Sequence, residues 1–270
     1  MRLITWNLNA RTNKKDLTEQ CDYLQKGDFD VITLQEVLLG SEGFIKEYFS
    51  NKSVLSSFDL VKDKSVLVNK RRYGQIIISN GSISEIKEFA SVPFPERVLS
   101  CSTLNFEVHT THVPPGSSNG VRKVEHFEGL YKFLSNRNTQ NLILTGDFNS
   151  PKQELMTGEV ITWAQKVNSS GKVRIAINSK WRDECTGERW DLAERNVIKS
   201  HTNLDLKDAF RYKHGYKKES FSWFTNKGVG RRYDHIFCSS GIDVADAFYD
   251  QTPRIRKISD HSPLIATLKV

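Results

Sequence analysis

The stretch LTGDFNSP, residues 144–151, constrains the fold of this chain more than any other stretch. The residues that lead into it, NLIL, are apolar and rich in strand formers. A glycine and then Ser-Pro interrupt this run, so the pattern predicts a buried strand that ends in a loop. Side chains alternate along an extended backbone, so Asp147 and Asn149 can point to the same side. An Asx-type turn that caps a strand explains the same letters, and the motif alone leaves both interpretations open.

Length and composition indicate one globular domain. The 270 residues contain no linker, repeat or low-complexity tract, so we expect a single domain over residues 1–270. No apolar run is long enough to span a bilayer, and no signal segment precedes the opening strand, so we expect a cytoplasmic protein without membrane contact. The four cysteines are far apart and form no C-x-x-C pair, which argues against disulfides and a zinc site. We also expect a monomer.

Apolar patterning predicts a chain of mixed helices and strands. A strand at 3–8, a helix at 14–26 and a second strand at 31–36 are predicted to place Asn7 and Glu36 at matching edges of one sheet. The further predicted elements are a short helix at 41–50, a run of antiparallel strands at 65–69, 75–79, 83–89, 98–105 and 106–111, a helix at 121–136, and strands at 233–238 and 264–270.

Polar residues recur where predicted strands end. They are Asn7, Glu36, His112, Asp147, Asn149, Asp234, Asp260 and His261. Each has a structural explanation on its own, but their shared position at strand ends indicates one site. Glu36, Asp260 and the amide of Asn7 offer hard oxygen ligands, so the ion we expect is Mg²⁺ or Mn²⁺.

Six short blocks carry a resemblance to a known superfamily. The blocks span nearly the whole chain: TWN at 5–7, LQEV at 34–37, TH at 111–112, GDFN at 146–149, RYD at 232–234 and SDHSP at 259–263. In these blocks and in their order the chain resembles the endonuclease/exonuclease/phosphatase superfamily, which includes exonuclease III-like and deoxyribonuclease I-like nucleases, deadenylases, sphingomyelinases and inositol phosphatases. The resemblance implies an α/β (α+β) fold, a four-layer sandwich of two mostly antiparallel facing sheets flanked by helices. It also implies metal-dependent hydrolysis of a phosphoester.

The resemblance assigns a metal site to three of these residues. Glu36 would be the main ligand of Mg²⁺ or Mn²⁺, and Asn7 would lie beside it. Asp260 would be a secondary contact, to the metal or to a metal-bound water.

The resemblance also assigns catalytic roles. Asp147 would orient or deprotonate the attacking water, and Asn149 would hold the phosphate and the water. His261 would contact the phosphate and stabilise charge in the transition state, and Asp234 would hold its other ring nitrogen. His112 would be a further phosphate donor.

Three features favour nucleic acid as the substrate, with DNA ahead of RNA. The net charge is +7 and the pI is about 9.1, which suits a polyanion without requiring one. The other two are segments in which aromatic residues lie near arginines: Arg71 to Tyr73, and Trp223 followed by Arg231 and Arg232. Aromatic rings can stack bases while arginines hold phosphates. The alternative for the first segment is a solvated turn, and for the second a core strand. The candidate substrate-binding residues are Arg71, Arg72, Tyr73, Trp223, Arg231 and Arg232.

One block departs from the repair-enzyme pattern. Exonuclease III-like repair enzymes usually carry a Tyr and then Pro-Asn where this chain has HVPP at residues 112–115. His112 is more similar to the deoxyribonuclease I, sphingomyelinase and deadenylase branches, so no lesion is assigned. We therefore predict a metal-dependent phosphodiesterase, a nuclease. The alternatives are a phosphatase or phosphodiesterase for a small-molecule or lipid-headgroup phosphoester and, last, a non-catalytic binding domain. Residues 152–200 receive no role.

Overall fold

The structure is a computed structural model of the chain, and it describes residues 1–61, 73–86, 88, 90–137, 140–177 and 179–269. The strands in these ranges are β1 (Arg2–Asn7), β2 (Val31–Val37), β3 (Ser53–Ser56), β4 (Gly74–Ser79), β5 (Ser84–Glu85), β6 (Val98–Thr103), β7 (Phe106–His112), β8 (Leu142–Asp147), β9 (Gln153–Glu154), β10 (Val160–Ile161), β11 (Gln165–Val167), β12 (Val173–Ile175), β13 (Leu206–Asp208), β14 (Trp223–Phe224), β15 (Gly230–Arg231), β16 (Asp234–Ser239), β17 (Asp243–Tyr249) and β18 (Leu264–Lys269).

The helices lie mainly between these strands. They are α1 (Lys14–Lys26), α2 (Leu39–Tyr48), α3 (Ser57–Leu60), α4 (Gly116–Asn119), α5 (Val121–Ser135), α6 (Gly187–Ile198), α7 (Ser200–Leu204), α8 (Ala209–His214) and α9 (Thr252–Ile255), with 3-10 turns at Pro95–Arg97 and Ser179–Trp181. Within the described ranges, no helix combines the length and the apolar character that crossing a bilayer requires.

Two six-stranded sheets dominate the fold, and they share one plan. The strand order is β17-β18-β1-β2-β4-β3 in the first sheet and β13-β16-β8-β7-β6-β5 in the second. Each sheet has one parallel pair, β1–β2 in the first and β7–β8 in the second. The other neighbouring pairs are antiparallel. The prediction of two mostly antiparallel sheets is confirmed.

The sheets pack face to face over an apolar core. Leu3 and Val31 from the first sheet share one buried cluster with Val108, Ile143 and Ile236 from the second. A second cluster joins the outer face of the first sheet to α1 and α2, and a third joins the outer face of the second sheet to α5 and α6. A fully buried valine, leucine or isoleucine side chain contributes about 1.5–3 kcal/mol to the stability of the fold, because burial removes its apolar surface from water. The layers are therefore helix, sheet, sheet, helix, as the resemblance implied.

Helix α1 shows why the local sequence folds as predicted. Asn13 caps its first turn, because the side-chain oxygen accepts a hydrogen bond from the Asp16 amide at 2.8 Å. Leu17, Cys21 and Leu24 are buried and follow helical spacing, so they form the face that packs on the first sheet. The helix then carries the chain from β1 to its parallel neighbour β2.

The interior becomes polar toward the carboxyl ends of the parallel pairs. Thr145 Oγ1 donates to Thr33 Oγ1 across the two sheets at 2.9 Å. Gln35 Nε2 donates to Thr110 Oγ1 of the other sheet at 2.9 Å and to Thr5 Oγ1 at 3.0 Å. Buried polar groups need such partners, so these bonds fix the register of one sheet on the other just beneath the strand ends.

Several sequence predictions differ from the structure. The predicted strand at 65–69 lies outside the described residues. The predicted strand at 83–89 is described only at its start, where β5 pairs with β6. The predicted antiparallel run at 75–111 is divided between the two sheets, because β4 pairs with β2 and β3 in the first sheet while β5, β6 and β7 pair antiparallel in the second. The segment at 187–191, which carries Trp190, opens helix α6, and Thr186 caps that helix through its hydroxyl.

Candidate active site

The parallel pairs bring their carboxyl ends to one edge of the sandwich. Asn7 ends β1, and Glu36 lies near the end of β2. His112 ends β7 and pairs in register with Asp147, which ends β8. Asp147 also pairs with Asp234 at the start of β16. Residues far apart in the sequence therefore meet because of strand order alone.

Glu36 is aimed into this site by an irregularity of β2. The pairing of β2 with β4 shifts register between Leu34 and Val37, and Glu36 has a positive φ of 52°. A non-glycine residue in this left-handed region is uncommon and costs free energy that the surrounding structure must supply. The bulge turns the Glu36 carboxylate away from the regular alternation of the strand and toward His112.

Asp147 is fixed through both of its carboxylate oxygens. Its Oδ2 accepts from Asn7 Nδ2 at 2.9 Å, and its Oδ1 accepts from the Asn149 amide at 2.8 Å. Gly146 precedes it with a φ of 135°, and an added Cβ there would lie 1.9 Å from the Thr111 carbonyl oxygen. Only glycine fits between the two parallel strands at this point. The carboxylate is buried and held in a single orientation.

A second carboxylate orients His261. The His261 Nδ1–H donates to Asp234 Oδ2 at 2.7 Å, and the His261 Nε2 atom lies 3.9 Å from Asp147 Oδ2. The Ser222 hydroxyl accepts from the Asp234 amide at 3.1 Å, which fixes the start of β16. Burial alone would lower the pKa of His261, but the charges of Asp234 and Asp147 outweigh it and raise that pKa to about 10. The imidazole is therefore a cation at neutral pH.

His112 has the opposite protonation state. Its Nε2 atom lies 3.4 Å from Glu36 Oε1 and 3.8 Å from Asp147 Oδ2. Burial, the charge of Arg97 and the charge of His261 hold the pKa of His112 well below its usual range. A neutral imidazole can serve as a metal ligand or as a single hydrogen-bond donor.

The donor atoms fit a divalent cation. Glu36, His112 and Asp147 offer ligand atoms that all lie within 4.8 Å of one another, and Asp147, Asp234 and His261 form a second such group. Burial raises the pKa of Glu36, and burial together with the charge of Asp234 raises the pKa of Asp147 to about 7. Crowded buried carboxylates repel one another, and a doubly charged cation between them offsets that repulsion. Carboxylate donors suit Mg²⁺ or Mn²⁺, whereas an imidazole ligand favours a transition metal.

Asp260 and Trp223 lie at one rim of the site. Trp223 Nε1 donates to Asp260 Oδ2 at 3.1 Å, and its ring stacks on Tyr233 with 5.5 Å between ring centroids. Asp260 lines the same cavity as Glu36, and its charge raises the Glu36 pKa. Its role as a secondary metal contact stays a prediction, since its carboxylate is outside both groups of clustered donors in the described residues.

The basic residues predicted to bind substrate have different positions. Tyr73 lines the cavity, with its ring 5.7 Å from the His112 ring. Arg231 is half-buried beside Tyr233. Arg71 and Arg72 lie outside the described residues.

Arg232 is a correction to the predicted substrate-binding set. Only 4% of it is exposed, and its guanidinium donates to Glu154 Oε1 at 2.8 Å and to Asp208 Oδ2 at 2.6 Å. Arg211 binds the same Glu154 carboxylate. With its charge taken up by two buried carboxylates, Arg232 ties β9 to β13 and does not face a ligand.

The strand-end residues open into a cavity of about 560 Å³ that sequence reasoning described only in part. Glu36, His112, Asp147, Asn149 and His261 line it as predicted. Four of the five tryptophans of the chain also line it. The lining residues that the sequence did not identify include Arg97, Lys123, Trp163, Trp181 and Trp190. The available signal was the concentration of tryptophan in residues 152–200, a segment with weak periodicity.

Comparisons with known proteins agree with this geometry. No curated protein matches the sequence at a significant level. Three solved structures are each 20% identical to this chain, with all of both chains covered. They are an AP endonuclease from Archaeoglobus fulgidus (TM-score 0.71), the 3' phosphatase NExo from Neisseria bound to a product DNA hairpin (0.71) and the 3'-5' exonuclease NExo from Neisseria meningitidis (0.69). At this identity they show a shared fold. The model of the endonuclease/exonuclease/phosphatase family matches residues 4–261, so the chain belongs to that family.

Proposed function

We propose that this phosphoric ester hydrolase is a divalent-metal-dependent phosphodiesterase that cleaves nucleic acid, with DNA preferred to RNA. One observation carries the proposal: a buried and oriented carboxylate, Asp147, faces a cationic imidazole, His261, across 3.9 Å. The Glu36 carboxylate lies next to the same carboxylate, within reach of a shared ion. Attack of water on a phosphodiester needs this combination of a positioned acceptor and fixed positive charge.

Asp147 is the group that acts on the attacking water. Its two bonds, from Asn7 and from the Asn149 amide, hold the carboxylate in one orientation and leave its remaining lone pairs for a water in the cavity. As the water oxygen bonds to phosphorus and the ester P–O bond breaks, the water proton passes to Asp147. A pKa near 7 before an ion is bound suits a group that must accept a proton at neutral pH.

His261 and Asn149 act on the phosphate. The His261 Nε2–H points its positive charge at the cavity while Asp234 fixes the other ring nitrogen, so negative charge that develops on a phosphoryl oxygen is offset there. The Asn149 Nδ2 donates to the Val113 carbonyl oxygen at 2.9 Å, which fixes the amide beside Asp147. Glu36, His112 and Asp147 would hold the divalent ion, whose positive charge would offset negative charge on the phosphate and on the leaving oxygen.

The substrate assignment rests on charge and on similar structures. A net charge of +7 attracts a polyanion. Among the similar structures, one holds a product DNA hairpin and another is called an AP endonuclease. The alternative substrate is a small-molecule or lipid-headgroup phosphoester, which the same chemistry would hydrolyse. A non-catalytic binding domain ranks last, because Glu36, Asp147 and His261 are all in place.

The decisive experiment is hydrolysis by the purified chain. Supercoiled plasmid, single-stranded DNA, duplex DNA and RNA of matched sequence are incubated with Mg²⁺ or Mn²⁺, and with EDTA as the metal-free control. Asp147→Asn is the matched catalytic control, since it keeps the shape of the side chain and removes its charge. We expect DNA cleavage that EDTA and Asp147→Asn each abolish.

Two outcomes would reverse these conclusions. Turnover of a small phosphoester without cleavage of DNA or RNA would favour the alternative substrate class. Hydrolysis that persists in EDTA, or in a folded Asp147→Asn variant, would refute the proposed mechanism.

A further inference from the structure

One side of the cavity is a wall of tryptophan that the proposed chemistry does not use. Trp163 follows β10 and is 38% exposed, and Trp181 is half-buried at the end of a 3-10 turn. Both line the same cavity as Asp147 and His261. Accessible indoles beside a catalytic centre offer apolar faces on which a ligand can pack, since apolar surface in water is unfavourable.

Trp163 is fixed to the loop that carries the catalytic amide. Its indole Nε1–H donates to the Asn149 carbonyl oxygen at 3.0 Å, and its backbone N–H donates to Glu194 Oε2 at 3.2 Å. The same Asn149 carbonyl accepts from Lys123 Nζ at 2.7 Å. The indole plane is therefore held at a set position relative to the residues that act on the phosphate.

A buried ion pair between Lys123 and Glu194 holds Trp163 and the Asn149 carbonyl in this arrangement. Lys123 and Glu194 are each 1% exposed, and their Nζ and Oε1 atoms are 3.5 Å apart. Trp190 Nε1 donates to the same Glu194 oxygen at 2.7 Å. Buried ion pairs contribute little net stability. This one instead ties α5, α6 and the Asn149 loop together, and so orients Trp163.

Two glycines let the other indoles approach the backbone of α4. An added Cβ at Gly120, whose φ is 54°, would lie 2.4 Å from Trp181 Cε3. An added Cβ at Gly116 would lie 2.8 Å from Trp190 Cζ2. The wall is thus assembled from α4, α6 and the residues after β10, with close packing that holds each ring in place.

The indole faces of the wall favour a planar group. Two cations lie beside them: Lys123 Nζ is 5.6 Å from the Trp163 ring centroid and binds Asn149 and Glu194, and Lys180 Nζ is 4.3 Å from the Trp181 ring centroid. Indole faces bind nucleobases by stacking, because every base has a π-face. Trp163 binds the carbonyl of Asn149, the residue assigned to the phosphate, so a base stacked on Trp163 would belong to a nucleotide close to that phosphate.

We propose that Trp163 and Trp181 form a stacking subsite for an unpaired nucleobase on the nucleotide that carries the scissile phosphate. This inference rests on the proposed function and narrows it, because a base that stacks here is not paired in a duplex. The substrate class becomes single-stranded, terminal or extruded nucleotides.

The test compares two diesters with the same leaving group. Thymidine 5'-(p-nitrophenyl phosphate) carries a nucleoside, and methyl p-nitrophenyl phosphate carries none. The variants are Trp163→Leu, which removes the aromatic face, and Trp163→Phe, which keeps an aromatic face. Both variants lose the hydrogen bond to the Asn149 carbonyl, so a difference in activity between them reports the effect of stacking on the aromatic face. Tyr212→Leu, at a residue that is 55% exposed, controls for loss of an aromatic ring elsewhere.

The ratio of kcat/KM for the thymidine ester to kcat/KM for the methyl ester is the measured quantity. We expect Trp163→Leu to lower this ratio about fivefold or more, the effect of a lost base–aromatic stack. Trp163→Phe should keep most of the ratio, and Tyr212→Leu should keep all of it. A folded Trp163→Leu variant with the wild-type ratio overturns the subsite while leaving the phosphodiesterase intact.

A binding measurement covers the case in which neither ester is hydrolysed. The probe is thymidine 5'-monophosphate with Mg²⁺, titrated against wild type, Trp163→Leu and Trp163→Phe by calorimetry. A weaker affinity in Trp163→Leu but not in Trp163→Phe supports the subsite even if the proposed function fails. Equal affinities in all three proteins, or no binding to wild type, overturn it.

Discussion

Replacing Asp234 with Asn should move the alkaline limb of the pH profile. Burial lowers the pKa of His261, while the charges of Asp234 and Asp147 raise it from 6.5 to about 10. That rise corresponds to roughly 5 kcal/mol in favour of the imidazolium. Asp234→Asn keeps a group opposite Nδ1 but removes the carboxylate charge that raises the His261 pKa most. Burial is then opposed mainly by Asp147, and we expect the His261 pKa to fall.

The consequence for activity follows from the charged fraction of His261. Each unit by which the His261 pKa lies below the assay pH lowers the charged fraction about tenfold, so kcat/KM of the variant at pH 8 should drop about tenfold or more. At pH 6 the ratio of wild-type to variant kcat/KM should be much smaller, because a larger fraction of the variant's imidazole is charged at that pH. Protonation, rather than loss of shape, would then account for the defect.

The assay is kcat/KM for a chromogenic phosphodiester from pH 5.5 to 9.5 at saturating Mg²⁺. Asp243→Asn is the matched control, because Asp243 is an exposed carboxylate paired with Lys269 at the surface. Its profile should coincide with that of wild type. An Asp234→Asn profile with an unmoved alkaline limb, even if lower at every pH, would refute the assignment of a cationic His261.

Three further predictions concern the ion, the fold and acid stability. Glu36→Gln should require at least about tenfold more Mg²⁺ for half-maximal activity, since it removes a charged ligand. An unchanged metal titration would contradict the role of Glu36 as a metal ligand. Gly146→Ala should lower the free energy of unfolding by more than about 2 kcal/mol, because its Cβ would lie 1.9 Å from the Thr111 carbonyl oxygen; chemical denaturation measures this, and a wild-type midpoint contradicts it. Burial opposes ionisation of Glu154, but Arg232 and Arg211 outweigh it and lower its pKa from 4.5 to about 2. The ionised Glu154 carboxylate therefore contributes about 3 kcal/mol to the free energy of unfolding above pH 4.5, and this contribution is lost as the pH falls toward 2. In Glu154→Gln, the free energy of unfolding should decline less steeply between pH 4.5 and 2.

Much of the site could be predicted because it lies on regular strands. Asn7, His112 and Asp147 end strands that the sequence pattern predicts. The parallel pairing of β1 with β2 follows from the helix that connects them. Side chains at the carboxyl ends of parallel neighbours must converge, whatever the details of packing. Six short blocks in a fixed order supplied the rest of the family assignment.

Other features depend on contacts between distant residues and leave little trace in the sequence. Arg232 lies in a basic turn that resembles a phosphate-binding segment, yet Glu154 and Asp208 reach it from distant parts of the chain. Trp163 lies after a two-residue strand, β10, which is too short for periodicity to detect. Its position is set by Lys123 and the Asn149 carbonyl, which are tertiary contacts.

The place of β18 in the first sheet has a consequence for the order of events during synthesis. Residues 264–269 fill the gap between β17 and β1, and the Trp6 indole donates to the His261 carbonyl oxygen just before that strand. During synthesis β1 therefore keeps an unpaired edge until residues 264–269 have been made. His261 enters the cavity only at that late moment, so a nascent chain holds Asp147 and Glu36 without their cationic partner. Hydrolytic activity should therefore appear only once residues 264–269 have inserted, and a released chain that stops short of β18 should be inert.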